Sequence, residues 1–504
     1  VIESNSADSL RLYLINSPVV RAESLKFTEV GVKEVVRGVL LPWYNVYRFF
    51  IQCVEIYENN TLKRFTPDVN IAISSTNNVD IWILAASSGL VEYVHQEMKA
   101  YRLYTVVPRL VSFIEELTNW YVRLNRDRIK GASGASGNDA NQEQLHGLNV
   151  LFEVLMTMTQ IMCPFTPFFA EYLYQGLRKL LPLYNNTDPN VPEDAMGKAK
   201  SVHYLMLPEI DNSRLNPLAV RRFTILQQAV QQARVSRERR KIRSNLPLKN
   251  VLVICANQED IDALEFLKSY FLSEINAWNV TLSTDFKTNC SLKIVPNFRE
   301  LGKRLGKDLK IVKTAIESLS QKEISDFKDN GSITIHGHTF NNDDLVTKID
   351  FNGDNKQYEA SVSDDGSLMV AIDTTCDDEI MNELRAKQFG ATVQKLRKSS
   401  GLVVGDKVEI FYSSKDTNDI NIISESLNIH KDTVIGRLKS LPLNANKYMS
   451  NNAIVIAKET IKDDDISKKP FVLYLTQPIV AVDIDSIKYS WISIFIFTIP
   501  VYVW

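Results

Sequence analysis

An all-helical bundle followed by small α+β domains is the multidomain architecture that the sequence predicts, on three observations. Apolar residues recur at helical spacing from residue 8 to about 182. The period then changes, and Val251-Leu-Val-Ile254 is the first short β-type run. At 504 residues the chain is also too long for one ordinary domain. With 45% hydrophobic and 23% charged residues it has the composition of a globular protein. Its net charge of -2 excludes a uniformly basic nucleic-acid binder, so any such binding must rest on local patches.

Taken in order, Val35, Val39, Trp43, Val46, Tyr47, Phe50, Val54 and Tyr57 predict a helix with a kink or break at Pro42. Asp80 is placed as the cap of a helix running from Ile81 toward Tyr101. Val106, Leu110, Phe113, Leu117, Tyr121 and Leu124 make a core stripe, while Asn119, Arg123, Arg126 and Lys130 share a face turned away from it. A small-residue loop spans Gly131 to Asn138. Leu148 to Met162 is apolar nearly all round, as a buried bundle helix should be, and Pro164 and Pro167 stop it before another helix. The expected divisions are 1–184 for the bundle, 185–216 for a linker, 217–415 for an α+β domain and 416–489 for a second small one. Within 217–415 lie a helix to about Lys241, a hairpin near Ile333–Phe340, strands at Tyr358–Val362 and Leu368–Ile372, a helix at 377–399 and a strand at Lys407–Tyr412. Residues 490–504 are apolar, broken by Pro500 and too short to span a bilayer; their abrupt composition predicts a truncation or read-through artefact.

Tests for catalysis mostly fail. Gly302-Lys-Arg-Leu-Gly-Lys307 has one residue too few for a phosphate loop, and Asp308 stands where the magnesium-binding hydroxyl belongs. His336-Gly337-His338 lacks a third metal ligand nearby in sequence. The five cysteines, 53, 163, 255, 290 and 376, form no C-x-x-C pair, and buried structural thiols are the expectation. Nothing in the chain calls for a bound metal or cofactor.

Basic clusters say more. Arg234, Arg237, Arg239, Arg240, Lys241 and Arg243 crowd ten residues against one acid, Glu238. Such density suits phosphate contact, and cations at a helix C-terminus also suit the dipole. Lys395, Arg397 and Lys398 form a second cluster, and Arg299, Lys303, Arg304 and Lys307 a third. Trp120, Tyr121 and Phe298 interleave aromatic rings with these charges; packing is the expected role of Trp120 and Tyr121.

Asn119-Trp-Tyr-Val-Arg123 with Asn125-Arg-Asp-Arg128 resembles the helix that marks the anticodon-binding bundle of class I aminoacyl-tRNA synthetases for aliphatic amino acids. Further segments are similar to the cytoplasmic, eukaryotic-type isoleucyl branch: Ala7 to Glu23, Leu41 to Phe49, Pro164 to Glu171, Val295 to Lys307 and Gln394 to Leu402. They run in family order to about residue 412. The resemblance implies an all-α anticodon-binding helical bundle, then α+β domains of a tRNA-binding tail. Arg123, Asn125, Arg126, Arg128, Arg237, Arg239, Arg240, Lys241, Arg243, Arg299, Lys303, Arg304, Lys395, Arg397 and Lys398 become its candidate tRNA-binding residues.

The family's His-x-Gly-His motif and editing region are not present, and Lys395-Leu-Arg-Lys-Ser399 lies too far downstream to be the catalytic loop. The expectation is therefore the C-terminal part of such an enzyme, not catalytic alone. The intact ligase would join isoleucine to its tRNA with ATP and magnesium in the cytoplasm. Isoleucine tRNA is the expected partner, with no role for DNA or membrane. The alternative is a non-catalytic tRNA-binding or scaffold module that joins other aminoacyl-tRNA synthetases in a complex.

Overall fold

The computed structural model describes residues 1–131, 138–285, 290–296, 301, 312, 314–316, 318–320, 323–324, 327, 331–335, 337–341, 344–354, 356–403, 406–462, 465–467 and 469–478. Phe298, Arg299, Lys303, Arg304, Lys307, His336, the loop 132–137 and the tail 490–504 lie outside the described residues. The chain divides into two compact units, one comprising Val1–Ala229 with Asn257–Phe271, the other Val230–Ala256 with Leu272–Trp504.

The first unit is helical because its apolar stripes find one another. Helix Asn138–Met162 contacts helices Leu41–Thr61, Asn78–Lys99, Arg123–Ile129 and Pro167–Leu177. Trp43, Phe50, Val106, Leu110, Phe113, Leu117 and Tyr121 are all fully buried. Two helices contain π-helical stretches, Val36–Leu40 and Glu116–Val122. The first leads directly into Pro42 near the start of the 41–61 helix. Proline cannot donate to the carbonyl four residues back, and a wider turn absorbs the defect without breaking the helix. Asp80 is not a cap. Asn77 caps the 78–99 helix, its side chain accepting from Val79 and Asp80 N–H, which leaves the Asp80 carboxylate for the interior.

The second unit holds the sheets. In order of sequence the strands are β1 (Leu248–Cys255), β2 (Ala277–Ser283), β3 (Cys290–Pro296), β4 (Ser332–Ile335), β5 (His338–Asn341), β6 (Leu345–Phe351), β7 (Tyr358–Val362), β8 (Leu368–Asp373), β9 (Glu409–Ser414), β10 (Leu443–Asn444), β11 (Val455–Ile461) and β12 (Phe471–Thr476). One four-stranded sheet has the order β2-β1-β8-β7, the other β10-β9-β12-β11. These are the same topology twice. Each begins with a long helix, Pro217–Arg239 or Asp378–Ser399, followed by a strand. Two helices then lead to a parallel neighbour, β2 beside β1 and β10 beside β9. An antiparallel pair completes the other side. In the first module β3 to β6 intervene before that pair; in the second, among the described residues, no strand does. The strand expected at 407–412 pairs with β12 and β10. Phe389 of the 378–399 helix stacks on Phe471 over that same sheet, with ring centroids 5.8 Å apart.

Candidate nucleic-acid interface

The face expected from Asn119, Arg123 and Arg126 borders a groove of about 690 Å³. One wall is the 41–61 helix, where Asn45, Arg48, Phe49 and Gln52 recur at one-turn spacing. The other is the π stretch 116–122 and the helix after it, which contribute Thr118, Asn119 and Arg126. Gly38, from the other π stretch, Glu115 and the apolar Pro42, Val46 and Val122 complete the lining. Asn45, Arg48, Gln52 and Asn119 are exposed, and among the described residues their side chains have no hydrogen-bond or ion-pair partner. Arg126 lies over the Phe49 ring, 5.5 Å from its centroid. Cation, amide and aromatic groups thus face one channel in a form ready to bind an anionic chain with exposed bases. Arg123 is exposed on the same helix. Sequence reading missed Asn45, Arg48 and Gln52; their signal was a polar row at helical spacing in the mostly apolar first half of the helix.

Beneath this face sits a polar cluster. Asp80, fully buried, accepts from the Tyr121 hydroxyl at 2.8 Å and from the Arg128 guanidinium through one carboxylate oxygen. Its other oxygen accepts from Ser75 at 2.6 Å. Arg128 also donates to Asn125 Oδ1 at 2.9 Å, and Asn125 donates to the Tyr121 carbonyl at 3.1 Å. That last bond inserts a side chain at the π stretch and supports its wide turn. Burial, with the Asp80 charge beside it, pushes the Tyr121 hydroxyl pKa well up, so it donates at any ordinary pH. Arg128 and Asn125 therefore turn their polar groups into the unit and tie the helix down. The reason is spacing: residues 125 and 128 share a helical face that here turns inward.

The cluster at 237–243 divides similarly. Arg237 is buried and donates to the carbonyls of Arg243 (2.9 Å), Leu246 (3.0 Å) and Ile275 (2.6 Å). Burial without a carboxylate pushes its pKa down to about 10. Arg397 does the same in the second module, donating to the carbonyls of Val403 (3.1 Å) and Asp406 (2.9 Å). Both arginines stand two residues before a helix end, and both reach the carbonyls six and nine residues on. Both helices close over a residue with positive φ, Lys241 at 55° and Gly401 at 74°. These two guanidiniums are internal struts, contrary to the expectation of phosphate contact. Arg239 donates to the Ala360 carbonyl at 3.0 Å, Arg240 pairs with Glu359 at 2.8 Å, and Arg243 pairs with Asp465 through both nitrogens at 2.5–2.6 Å. Lys241, Lys395 and Lys398 are exposed and carry no ion pair among the described residues. On the helical unit candidates border a groove; on the sheet unit Lys241, Lys395 and Lys398 are exposed. Among the described residues no three carboxylate, imidazole or thiol groups gather to hold a metal ion, and no helix is long and apolar enough to cross a membrane.

Residues 80–252 match the anticodon-binding domain of tRNA ligase. This stretch includes Asp80, the π stretch 116–122, Arg126 and the 237–243 cluster, so this part of the chain is an anticodon-binding domain of the tRNA ligase class. Within that class it belongs to the isoleucine–tRNA ligase family. It is 39% identical to a probable cytoplasmic isoleucine–tRNA ligase of Dictyostelium discoideum over 92% of this chain and 41% of that protein. With the cytoplasmic isoleucine–tRNA ligase of Mus musculus the identity is 38%, over 91% of this chain and 35% of the relative. With that of Saccharomyces cerevisiae it is 35%, over 84% and 38%. The chain thus spans about two fifths of the length of these relatives.

Proposed function

We propose that the chain holds the anticodon arm of isoleucine tRNA, in the cytoplasm, with the groove between the 41–61 helix and residues 115–126 as its principal contact surface. The observation that carries this is the groove's row of Asn45, Arg48, Gln52 and Asn119, without partners among the described residues, beside the Arg126–Phe49 stack. Amides there read the edges of unstacked bases, and the arginines meet phosphates or stack. Arg123, Lys241, Lys395 and Lys398 add exposed positive charge. Arg239, Arg240 and Arg243 contribute less, because Glu359 and Asp465 already offset part of their charge. Arg299, Lys303 and Arg304 stay in the proposal on the sequence alone. Asn125, Arg128, Arg237 and Arg397 act by holding their helices. The wider reaction, joining isoleucine to tRNA with ATP and magnesium, is proposed for a protein of the relatives' full length. No step of it is assigned to residues of this chain.

Binding of a tRNA transcript to the chain and to an Arg48→Ala/Arg126→Ala variant tests the groove across a salt series. Removing one arginine–phosphate interaction should lower the slope of log affinity against log salt by about 1. Unchanged affinity and slope would sink the reading.

A further inference from the structure

The second sheet module carries a hollow of about 510 Å³, within the roughly 300–1,000 Å³ of ligand pockets. Three elements meet around it: the last turns of the Asp378–Ser399 helix, the chain entering β9 at residues 406–409, and the end of the Lys431–Leu438 helix. Pro478, just beyond β12, closes the remaining side. Its cations are spare. Lys407, Arg437 and Lys439 are exposed, and among the described residues none of them has a carboxylate partner. Arg437 gives one nitrogen to the Lys387 carbonyl at 3.2 Å, which leaves the rest of its fork for a ligand. The helix dipole accounts for cations at 437 and 439, which stand at a helix C-terminus. It does not account for Lys407, which precedes a strand.

Ser440 is a second, independent sign. It lines the hollow, and its buried Oγ has no hydrogen-bond partner among the described residues. Buried hydroxyls are normally satisfied, and an acceptor entering the hollow would satisfy this one. Val408 and Leu438 at the floor are almost fully covered. The apolar surface that remains open comes from exposed Pro478 and from the methylene stems of the lysines and Arg437. Together these features select the occupant. No aromatic side chain is among the described lining residues, so a nucleotide base finds no platform to stack on. A free phosphate would meet the cations but leave the apolar surface wet and most of the volume unfilled. A peptide with an aliphatic side chain beside a carboxylate meets both demands.

We propose that this hollow docks an acidic, aliphatic peptide segment of a protein partner. Its aliphatic side chain lies against Pro478 and the cationic stems, its carboxylates pair with Lys407, Arg437 and Lys439, and Ser440 donates to one of its oxygens. The inference goes beyond RNA binding and does not depend on the groove of the helical unit.

Fluorescence anisotropy of the full chain with a short labelled peptide of alternating leucine and glutamate tests this. Saturable binding is expected, and it should weaken when glutamine replaces glutamate or glycine replaces leucine in the peptide. Lys407→Glu/Lys439→Glu alters exposed side chains only and should abolish binding. Ser440→Ala removes an unsatisfied hydroxyl, so thermal melts should be unchanged while peptide affinity falls about tenfold. No saturable binding, or binding that both variants leave untouched, overturns the inference. Displacement of the peptide by a tRNA transcript, with transcript affinity lowered by Ser440→Ala, would assign the hollow to RNA and overturn it too. Peptide binding that emerges only in an Asp483→Lys/Asp485→Lys variant would show the hollow filled by the chain's own acidic segment. That result also overturns the assignment to a partner.

Discussion

The segments 123–128 and 237–243 are both rich in arginine, yet they deploy it differently. In the first, Arg126 reaches the groove over Phe49, while Arg128 turns inward to Asp80. In the second, Arg237 is bound to three backbone carbonyls, and Arg239, Arg240 and Arg243 bond to a carbonyl or a carboxylate. Cation density alone does not mark a phosphate site. What marks it is a cation without an internal partner. Arg397 sharpens the comparison, because it repeats the Arg237 arrangement in a second module of the same topology. A geometry that recurs where the surrounding surface differs is a device for ending a helix and fixing the turn that leads to the next strand.

The largest effect is expected at Asp80. Asp80→Ala leaves the Arg128 charge and the Tyr121 hydroxyl buried without their shared acceptor, and urea unfolding should show a loss of about 3–5 kcal/mol. A loss under about 1 kcal/mol would mean that the cluster opens to water and the inward role of Arg128 is wrong. Next come the two struts. Arg237→Met and Arg397→Met should each cost about 1.5–3 kcal/mol, with tRNA affinity unchanged once measured on fully folded protein. Lysine should not rescue either, since one ammonium cannot reproduce the guanidinium fork. A selective loss of tRNA affinity without loss of stability would return Arg237 to the phosphate contacts.

Asn119→Ala should reverse that pattern. Its exposed side chain leaves stability within about 0.5 kcal/mol, whereas discrimination between tRNA transcripts of different loop sequence should fall; equal discrimination in a competition assay would remove Asn119 from the interface. The smallest effect concerns acid. Lys249 holds the Asp377 carboxyl below its ordinary 3.8, helped by the Ile380 N–H. A carboxylate with a depressed folded pKa stabilises the fold at pH above its unfolded value, and this is lost as pH falls through the folded one. Lys249→Met should therefore remove a small stabilisation near neutrality and flatten the acid limb below pH 3.8, where the two proteins converge. An unaltered acid limb in a urea-denaturation series would show the pair to be inert.

Much of the fold was legible because its signals are local. The stripe Val106–Leu110–Phe113–Leu117–Tyr121 is buried as its spacing predicts, with Leu124 at its end only half-buried, and the strands 358–362 and 368–373 flank the turn that Asp364-Asp365-Gly366 announces. β2 and β6 were missed, strands whose partners lie elsewhere in the chain. Of the site, Asn119, Arg123 and Arg126 were legible as an outward face. Arg48, Asn45 and Gln52 were not, because nothing local says that the 41–61 helix lies opposite. Asp80 was read as a cap for the same reason: its partners Tyr121 and Arg128 are 41 and 48 residues away.

The sequence by itself determined the element types, the change from bundle to sheets, the resemblance to a tRNA-binding family and the position of each basic cluster. Period and composition act over a few residues, so they can be read without neighbours. Only the tertiary structure decided which cations are spare, which are struts, and that two modules share one sheet order. Those outcomes depend on acceptors brought from distant parts of the chain: Asp80 for Arg128, the Ile275 carbonyl for Arg237 and β12 for β9. A buried charge must be satisfied wherever the fold supplies a partner, and local sequence does not name that partner.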